Sequence, residues 1–214
     1  MKVGTDGTLL GSWAPVPCCG SRPRILDAGT GTGLIALMMA QRFANADITA
    51  IDIDAEAVAQ AQENVMASPF AAAISVKLMR LQDVDGQSFD AIVCNPPYFI
   101  DSLTSPDSQR TMARHATTLS YDELVAAAVR LLTDEGELSV VIPTDTLTRL
   151  DSAATIAGLY ARRACAIKTT PRKPAKRTLV AYGKQRPDNG VETDELIIGS
   201  DKCNRILKDF YLKL

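Results

Sequence analysis

Apolar positions recur along the chain in two alternating rhythms, short continuous runs and helically spaced sets, and the order in which they alternate predicts the architecture. Arg24 to Gly29 is a short apolar run and is predicted as the first strand. The glycine-rich turn Gly29-Thr30-Gly31-Thr32-Gly33 follows, and Leu34, Leu37 and Met38 continue at helical spacing through about Phe43. Asp47 to Ile53, Ile74 to Met79, Ala91 to Cys94 and Glu137 to Pro143 repeat the strand pattern. The alanine-rich stretch from Ala55 to about Ala67 is predicted as a helix capped by Asp54 that stops before Pro69. Ser120 with Glu123 reads as a capping box for a helix that turns Leu124, Val125 and Leu131 inward and ends at Asp134-Glu135-Gly136. Thr146 to Gly158 is predicted as a helix, and Cys165 to Thr169 and Thr178 to Gly183 as strands six and seven. Leu196 to Ile198 adds an extended piece before a short helix from about Asp201. Lys2 to Gly11 reads as a glycine-rich loop leading into a short helix, and the long polar segment Phe99 to Thr118 is expected to cover the site.

Strands alternating with helices imply an α/β fold with a mostly parallel sheet of seven strands and helices on both faces. No clear crossover helix separates the last two strands, so an antiparallel edge strand is expected. A length of 214 residues suits one large domain spanning 1–214. Composition narrows the functional classes. No apolar run approaches the ~20 residues of a membrane span. The five cysteines, Cys18, Cys19, Cys94, Cys165 and Cys203, are odd in number and show no CxxC spacing, which disfavours disulfides and a metal site. With no leader-like pattern at the start, the cytoplasm is the expected compartment. A formal net charge of −2 argues against wholesale coating of nucleic acid and leaves room for a local basic patch.

Chemistry concentrates where the fourth predicted strand stops, at Asn95-Pro96-Pro97-Tyr98. The two prolines have fixed φ and no N–H, so this tip is stiff and rich in acceptors. A planar NH2 group supplies two donors in one plane, which the Asn95 side-chain oxygen and the Pro96 carbonyl accept together while Tyr98 stacks on its face. Adenine N6 and a glutamine amide both have that shape. A rigid loop after a buried strand would explain the tetrapeptide equally well, were it alone.

It is not alone. Gly29, Gly31 and Gly33 let the backbone turn sharply and approach a ligand, although GxGxG departs from the GxGxxG dinucleotide fingerprint. Asp27, at the end of the first strand, would repel a pyrophosphate and accept from an ammonium, directly or through water, which favours S-adenosylmethionine over NAD. Asp52 follows the second strand about 20 residues after the turn, where a carboxylate accepts from ribose hydroxyls, a role that serves either cofactor. The Leu81 backbone N–H, just past the third strand, is the candidate contact for the cofactor's adenine.

Met1-Lys2-Val3-Gly4-Thr5-Asp6-Gly7 through Leu10-Gly11, Asp27 to Gly33, Asn95 to Tyr98 and the closing Asp209-Phe210-Tyr211-Leu212 together resemble the bacterial tRNA1(Val) adenine-N6 methyltransferases over nearly the whole chain. The resemblance implies a Rossmann-like class I methyltransferase fold, S-adenosylmethionine as cofactor and the adenine beside the valine anticodon as target. It also implies that Thr5 and Asp6 lie over the methionine end of the cofactor, that Asp27 to Gly33 line it, that Asp52 holds its ribose, and that Asn95, Pro96, Pro97 and Tyr98 hold the base. Asn-Pro-Pro-Tyr is shared with glutamine-N5 protein methyltransferases, which stay the alternative. Two departures matter. Members of that family carry about a dozen residues ahead of the Met-Lys-Val-Gly run, so residues 1–20 are expected to be a shortened cofactor-covering segment. Arg80 stands where members of that family often have a small or acidic residue.

The densest basic region is Arg162, Arg163, Lys168, Arg172, Lys173, Lys176 and Arg177. Charge alone is equally consistent with a solvated loop and with phosphate binding. A tRNA partner favours the second, with Arg172, Lys173, Lys176 and Arg177 on the phosphates.

Overall fold

The computed structural model describes residues 4–17, 22–96 and 119–211. Pro97, Tyr98 and the segment Phe99 to Thr118, together with Cys18 and Cys19, lie outside the described residues. Strands β1 (Arg24–Ala28), β2 (Asp47–Asp52), β3 (Ile74–Leu78), β4 (Phe89–Cys94), β5 (Leu132–Pro143), β6 (Tyr160–Lys168), β7 (Arg177–Gly183) and β8 (Glu192–Ile197) form one sheet in the order β3-β2-β1-β4-β5-β7-β6-β8. The helices are α1 (Thr5–Trp13), α2 (Leu34–Arg42), α3 (Ala55–Met66), α4 (Tyr121–Leu131), α5 (Leu147–Ile156) and α6 (Asp201–Leu207).

The central strands are apolar without alternation because both faces are covered. On one face Ile25, Ile48, Val93 and Val141 pack with Leu9, Leu10, Met39, Val65 and Leu207, which come from α1, α2, α3 and α6. On the other Leu26, Ile92, Leu138 and Val140 pack with Leu124, Leu131, Leu150 and Ala154 from α4 and α5. Both helix starts predicted from capping chemistry are present. Asp54 accepts from the Glu56 N–H at 2.9 Å, and Ser120 and Glu123 form the reciprocal capping box.

Seven strands were expected and the sheet has eight among the described residues. The eighth, β8, is an edge strand that runs parallel to β6 and buries only Leu196, so its sequence carries little apolar signal. The antiparallel strand is β7, which lies between β5 and β6 and pairs antiparallel with both. β6 begins at Tyr160 rather than at Cys165, and a register shift between Ala161 and Arg163 hides the earlier part from a period-two pattern. Likewise α4 ends at Leu131, and residues 132–136 already belong to β5, whose register shifts between Phe89 and Ala91.

The stretch read as a loop before a short helix is helical from Thr5. Gly7 and Gly11 lower its intrinsic propensity, and tertiary packing overrides that. Gly7 to Gly11 are all buried. A Cβ on Gly11 would stand 2.8 Å from Met38 Sδ and 3.1 Å from Met38 Cβ, so a glycine there lets α1 lie directly on α2. The Arg42 guanidinium, at the end of α2, donates to the Gly11 carbonyl at 2.7 Å and to the Ala14 carbonyl at 2.9 Å, satisfying the last turn of α1. Replacing Gly11 with Leu is expected to cost about 1–3 kcal/mol by overpacking, read as a lower denaturation midpoint in urea with an unchanged slope.

Candidate active site

The parallel strands β1, β2, β3 and β4 point their C-terminal ends to one edge, and the chain order reverses between β1 and β4. Ligands in open α/β sheets gather at such a reversal. There Ala28 pairs with Cys94, so the glycine turn after β1 and Asn95 after β4 leave the sheet side by side. Gly29, Gly31 and Gly33 have φ of 72°, 57° and 81°, the left-handed region that a side chain would strain. Among the described residues no atom lies within 4 Å of where a Gly29 Cβ would stand, and a Gly33 Cβ would meet that of Ala61 at 3.4 Å. The turn is therefore open on the Gly29 side and packed against α3 on the Gly33 side.

Asp27 is 0% exposed beneath this turn. Its Oδ2 accepts from the Thr30 hydroxyl at 2.6 Å and from the Ala36 N–H in the first turn of α2 at 3.0 Å. Its Oδ1 is buried with no hydrogen-bond partner among the described residues. Burial pushes the Asp27 carboxyl up to about 6, against the lowering pull of the Thr30 and Ala36 hydrogen bonds, and the nearby Asp52 adds a smaller upward push. Asp52 closes the turn from the neighbouring strand. Its Oδ2 accepts from the Gly31 N–H at 2.9 Å and its Oδ1 from the Asp54 N–H at 3.0 Å. The Gly29 and Thr30 N–H groups both donate to the Ile51 carbonyl at 2.9 Å. Two carboxylates thus hold a glycine turn whose outer surface stays open.

Beyond Asp52 the Met79 N–H donates to the Asp52 carbonyl at 2.9 Å, and Leu81 opens a 3-10 turn, Leu81–Asp83, with its side chain in the core. Leu81 therefore follows the strand tip next to Asp52. This turn is fixed from the other face by Arg130 of α4, which donates to the Val84 and Gln82 carbonyls.

Asn95 is half-buried and Pro96 buried at the tip of β4. A methyl group at Gly7 would stand 3.8 Å from Asn95 Nδ2 and 3.5 Å from Leu34, so the first turn of α1 covers both the strand tip and the start of α2. This brings Thr5, Asp6, the glycine turn and Asn95 to one place. Next to Asn95, burial pushes the Cys94 thiol up, with Asp27 and Asp52 adding to the shift, so the thiol is no nucleophile at neutral pH.

The basic region divides in two. Within β6, Arg162 pairs with Glu137 at 3.3 Å, Arg163 with Glu192 at 3.7 Å and over the Trp13 ring at 4.7 Å, and Lys168 with Glu195 at 2.5 Å. Arg172, Lys173 and Lys176 lie in the loop between β6 and β7, exposed, with no ion pair among the described residues. Because β7 is antiparallel, that loop emerges at the same edge as Asn95, with Arg177 opposite Pro143 at the end of β5. Arg177 differs from the other three. Its Nε donates to Asp6 Oδ2 at 3.0 Å, a contact between residues far apart in sequence that no local pattern announces.

The methyltransferase small domain profile matches residues 16–151. The chain is 44% identical to the tRNA1(Val) (adenine(37)-N6)-methyltransferase of Bacteroides fragilis strain YCH46, over 100% of this chain and 92% of that one. It is 47% identical to the enzyme of the same name from Phocaeicola vulgatus, again over 100% of this chain and 92% of that one. This chain belongs to the tRNA1(Val) (adenine(37)-N6)-methyltransferase family. Among solved structures, a predicted O-methyltransferase from Agrobacterium tumefaciens superposes with a TM-score of 0.67 at 21% identity, covering 92% of this chain and 90% of that one, which places the fold among class I methyltransferases.

Family membership makes the chain a methyltransferase and implies S-adenosylmethionine as its cofactor, and the donor set is compatible with that group. A turn open at Gly29 admits a ligand at backbone distance, and the unpartnered Asp27 Oδ1 suits an ammonium or a water that an ammonium holds. Among the described residues no group of His, Cys, Asp and Glu could hold a metal ion, and no helix is long and apolar enough to cross a membrane.

Proposed function

We propose that this member of the tRNA1(Val) (adenine(37)-N6)-methyltransferase family acts as one domain and methylates the exocyclic N6 of the adenine beside the anticodon of tRNA1(Val). The reading rests on one observation above the others. The Asn95-Pro96 tip and the open glycine turn leave adjacent strands at paired residues, Cys94 and Ala28, in a chain 44% identical end to end to an enzyme of that name. The glutamine-N5 reading shares the tip but not the name of these relatives.

S-adenosylmethionine, when bound, supplies an electrophilic methyl on a sulfonium. Asp27 and the glycine turn hold its methionine end, with Thr5 and Asp6 covering it, Asp52 its ribose and the Leu81 N–H its adenine. The target N6 is a poor nucleophile because its lone pair is delocalised into the ring. The Asn95 side-chain oxygen and the Pro96 carbonyl accept hydrogen bonds from its two N–H groups, localise the lone pair and aim it along the line of transfer. Pro97 stiffens the tip and Tyr98 stacks the base, which an anticodon loop gives up more cheaply than a duplex does. No acid/base pair is required, because the amine grows more acidic as it is methylated and loses its surplus proton to water.

Arg172, Lys173 and Lys176 neutralise phosphates of the same loop. Replacing all three with glutamine is expected to weaken tRNA binding and to flatten its dependence on log salt by roughly 0.7 for each phosphate no longer neutralised. An unchanged affinity and slope would remove the loop from the interface. The function itself is tested by mass spectrometry of nucleosides from undermodified tRNA incubated with the protein and labelled cofactor. N6-methyladenosine at position 37 of tRNA1(Val) is the expected product. Label in the protein fraction, with none in the nucleosides, would overturn the proposal.

A further inference from the structure

Of the cations at the site's edge, Arg177 is the one whose surroundings fit phosphate binding least. It is half-buried, its Nε is committed to Asp6 Oδ2 at 3.0 Å, and its Nη1 donates to the Lys176 carbonyl at 3.1 Å. Both ends of this contact are anchored. Arg177 begins β7 and is paired with Pro143 and Ile167, and the Lys176 N–H donates to the Ile167 carbonyl at 3.3 Å while the Lys176 carbonyl accepts from the Thr144 N–H at 3.2 Å. Asp6 sits in the first turn of α1, one residue before Gly7, where a Cβ would stand 3.8 Å from Asn95 Nδ2, in ordinary contact distance. The C-terminal end of α1 is held independently by Arg42 and by the packing of Gly11 on Met38. At the other end of the helix, the Asp6–Arg177 ion pair ties the first turn to the sheet.

We propose that Arg177 is a positioning residue: through Asp6 it pins the first turn of α1 over Asn95, and it thereby joins the basic loop that meets RNA to the tip that presents the target nitrogen. The inference deepens the proposed function and rests on it for the identity of the RNA. Arg172, Lys173 and Lys176 are the phosphate ligands, and Arg177, at the root of their loop, is the residue through which loop and α1 move together. Asp6 is in the same arrangement a support for α1 as well as part of the cofactor's cover.

The two roles open to Arg177 predict different signatures. A phosphate ligand, once neutralised, raises KM for tRNA and flattens the salt dependence by roughly 0.7, and replacing Asp6 does not imitate it. A positioning residue leaves the salt slope alone and lowers kcat, and the loss is shared with its partner. Arg177→Gln and Asp6→Asn are each expected to lower single-turnover methyl transfer by about tenfold, with the double variant no worse than the weaker single one, as for residues that act as a unit. Arg177→Lys, which keeps a charge but not the guanidinium geometry, is expected to recover part of the rate.

A second measurement does not depend on the substrate. Hydrogen exchange of the full-length protein is expected to quicken in residues 5–10 of both single variants, by up to about fivefold, the size that a half-exposed ion pair supports, while residues 34–42 stay unchanged. Unchanged exchange at the start of α1, or additive losses of rate in the double variant, or a flattened salt slope in Arg177→Gln alone, would each overturn the inference. A wild-type protein that fails to methylate tRNA would overturn the proposed function instead, and the exchange measurement would still decide whether Arg177 holds α1.

Discussion

Replacing Asn95 with Ala is expected to collapse methyl transfer by about 10²–10³-fold or more while the affinity for S-adenosylhomocysteine changes little, because the role proposed for the residue is on the target and not on the cofactor. The geometry behind this expectation is local. Asn95 leaves β4 next to the glycine turn, and the hydrogen bonds that hold the turn run among Asp27, Thr30, Gly31, Ala36 and Asp52. Its side chain faces the first turn of α1, where a methyl on Gly7 would come within 3.8 Å. Removing it takes away an acceptor and leaves those bonds intact. Single-turnover kinetics with calorimetry of the product complex would separate the two quantities. Parallel losses in both would mean that Asn95 holds the site together and does not take part in transfer.

Asp27→Asn is expected to do the reverse and remove cofactor affinity, by about 10–100-fold at pH 7.5, the size of a lost charge-assisted hydrogen bond. The pH dependence gives a sharper test. The folded-state carboxyl is raised from 3.8 to about 6, so its contribution to the stability of the ligand-free protein is fully present below pH 3.8 and is lost as pH rises through about 6. Above that pH a buried, half-satisfied charge costs the free protein on the order of 3 kcal/mol. A ligand ammonium offsets this cost, and it can do so only when Asp27 is ionised. Affinity for S-adenosylhomocysteine is therefore expected to fall as pH is lowered through 6 in the wild type and to stay flat in the Asn variant. In denaturation curves between pH 4 and 7 the wild type should lose stability relative to that variant. A pH-independent affinity in the wild type would show that Asp27 only braces the turn.

Much of this site could be read from the chain because its parts are local. A buried strand, a glycine turn and a helix are contiguous from Arg24 to Arg42, the carboxylate that closes the turn follows the next strand, and the caps at Asp54 and Ser120 are set by residues two or three positions away. What escaped is non-local. The helicity of Thr5 to Gly11 is decided by Met38 and Arg42, which close over a glycine-rich segment that would not hold a helix by propensity. The difference between Arg177 and its basic neighbours is decided by Asp6, at the other end of the chain. The same holds for Arg162, Arg163 and Lys168, whose acidic partners lie on β5 and β8 and withdraw them from a patch that looked continuous in sequence. The eighth strand escaped for a different reason: an edge strand with one buried residue leaves almost no apolar trace.

The antiparallel course of β7 has a consequence for how such proteins diversify. β6 and β7 form a hairpin whose tip reaches the reactive edge, so its length and charge can be rewritten without disturbing any strand crossover or core helix. The loop between Lys168 and Arg177 can thus vary by itself so long as Arg177 at its root keeps its tie to Asp6, and grafting another family member's loop between those two residues offers a direct way to vary the proposed RNA contact.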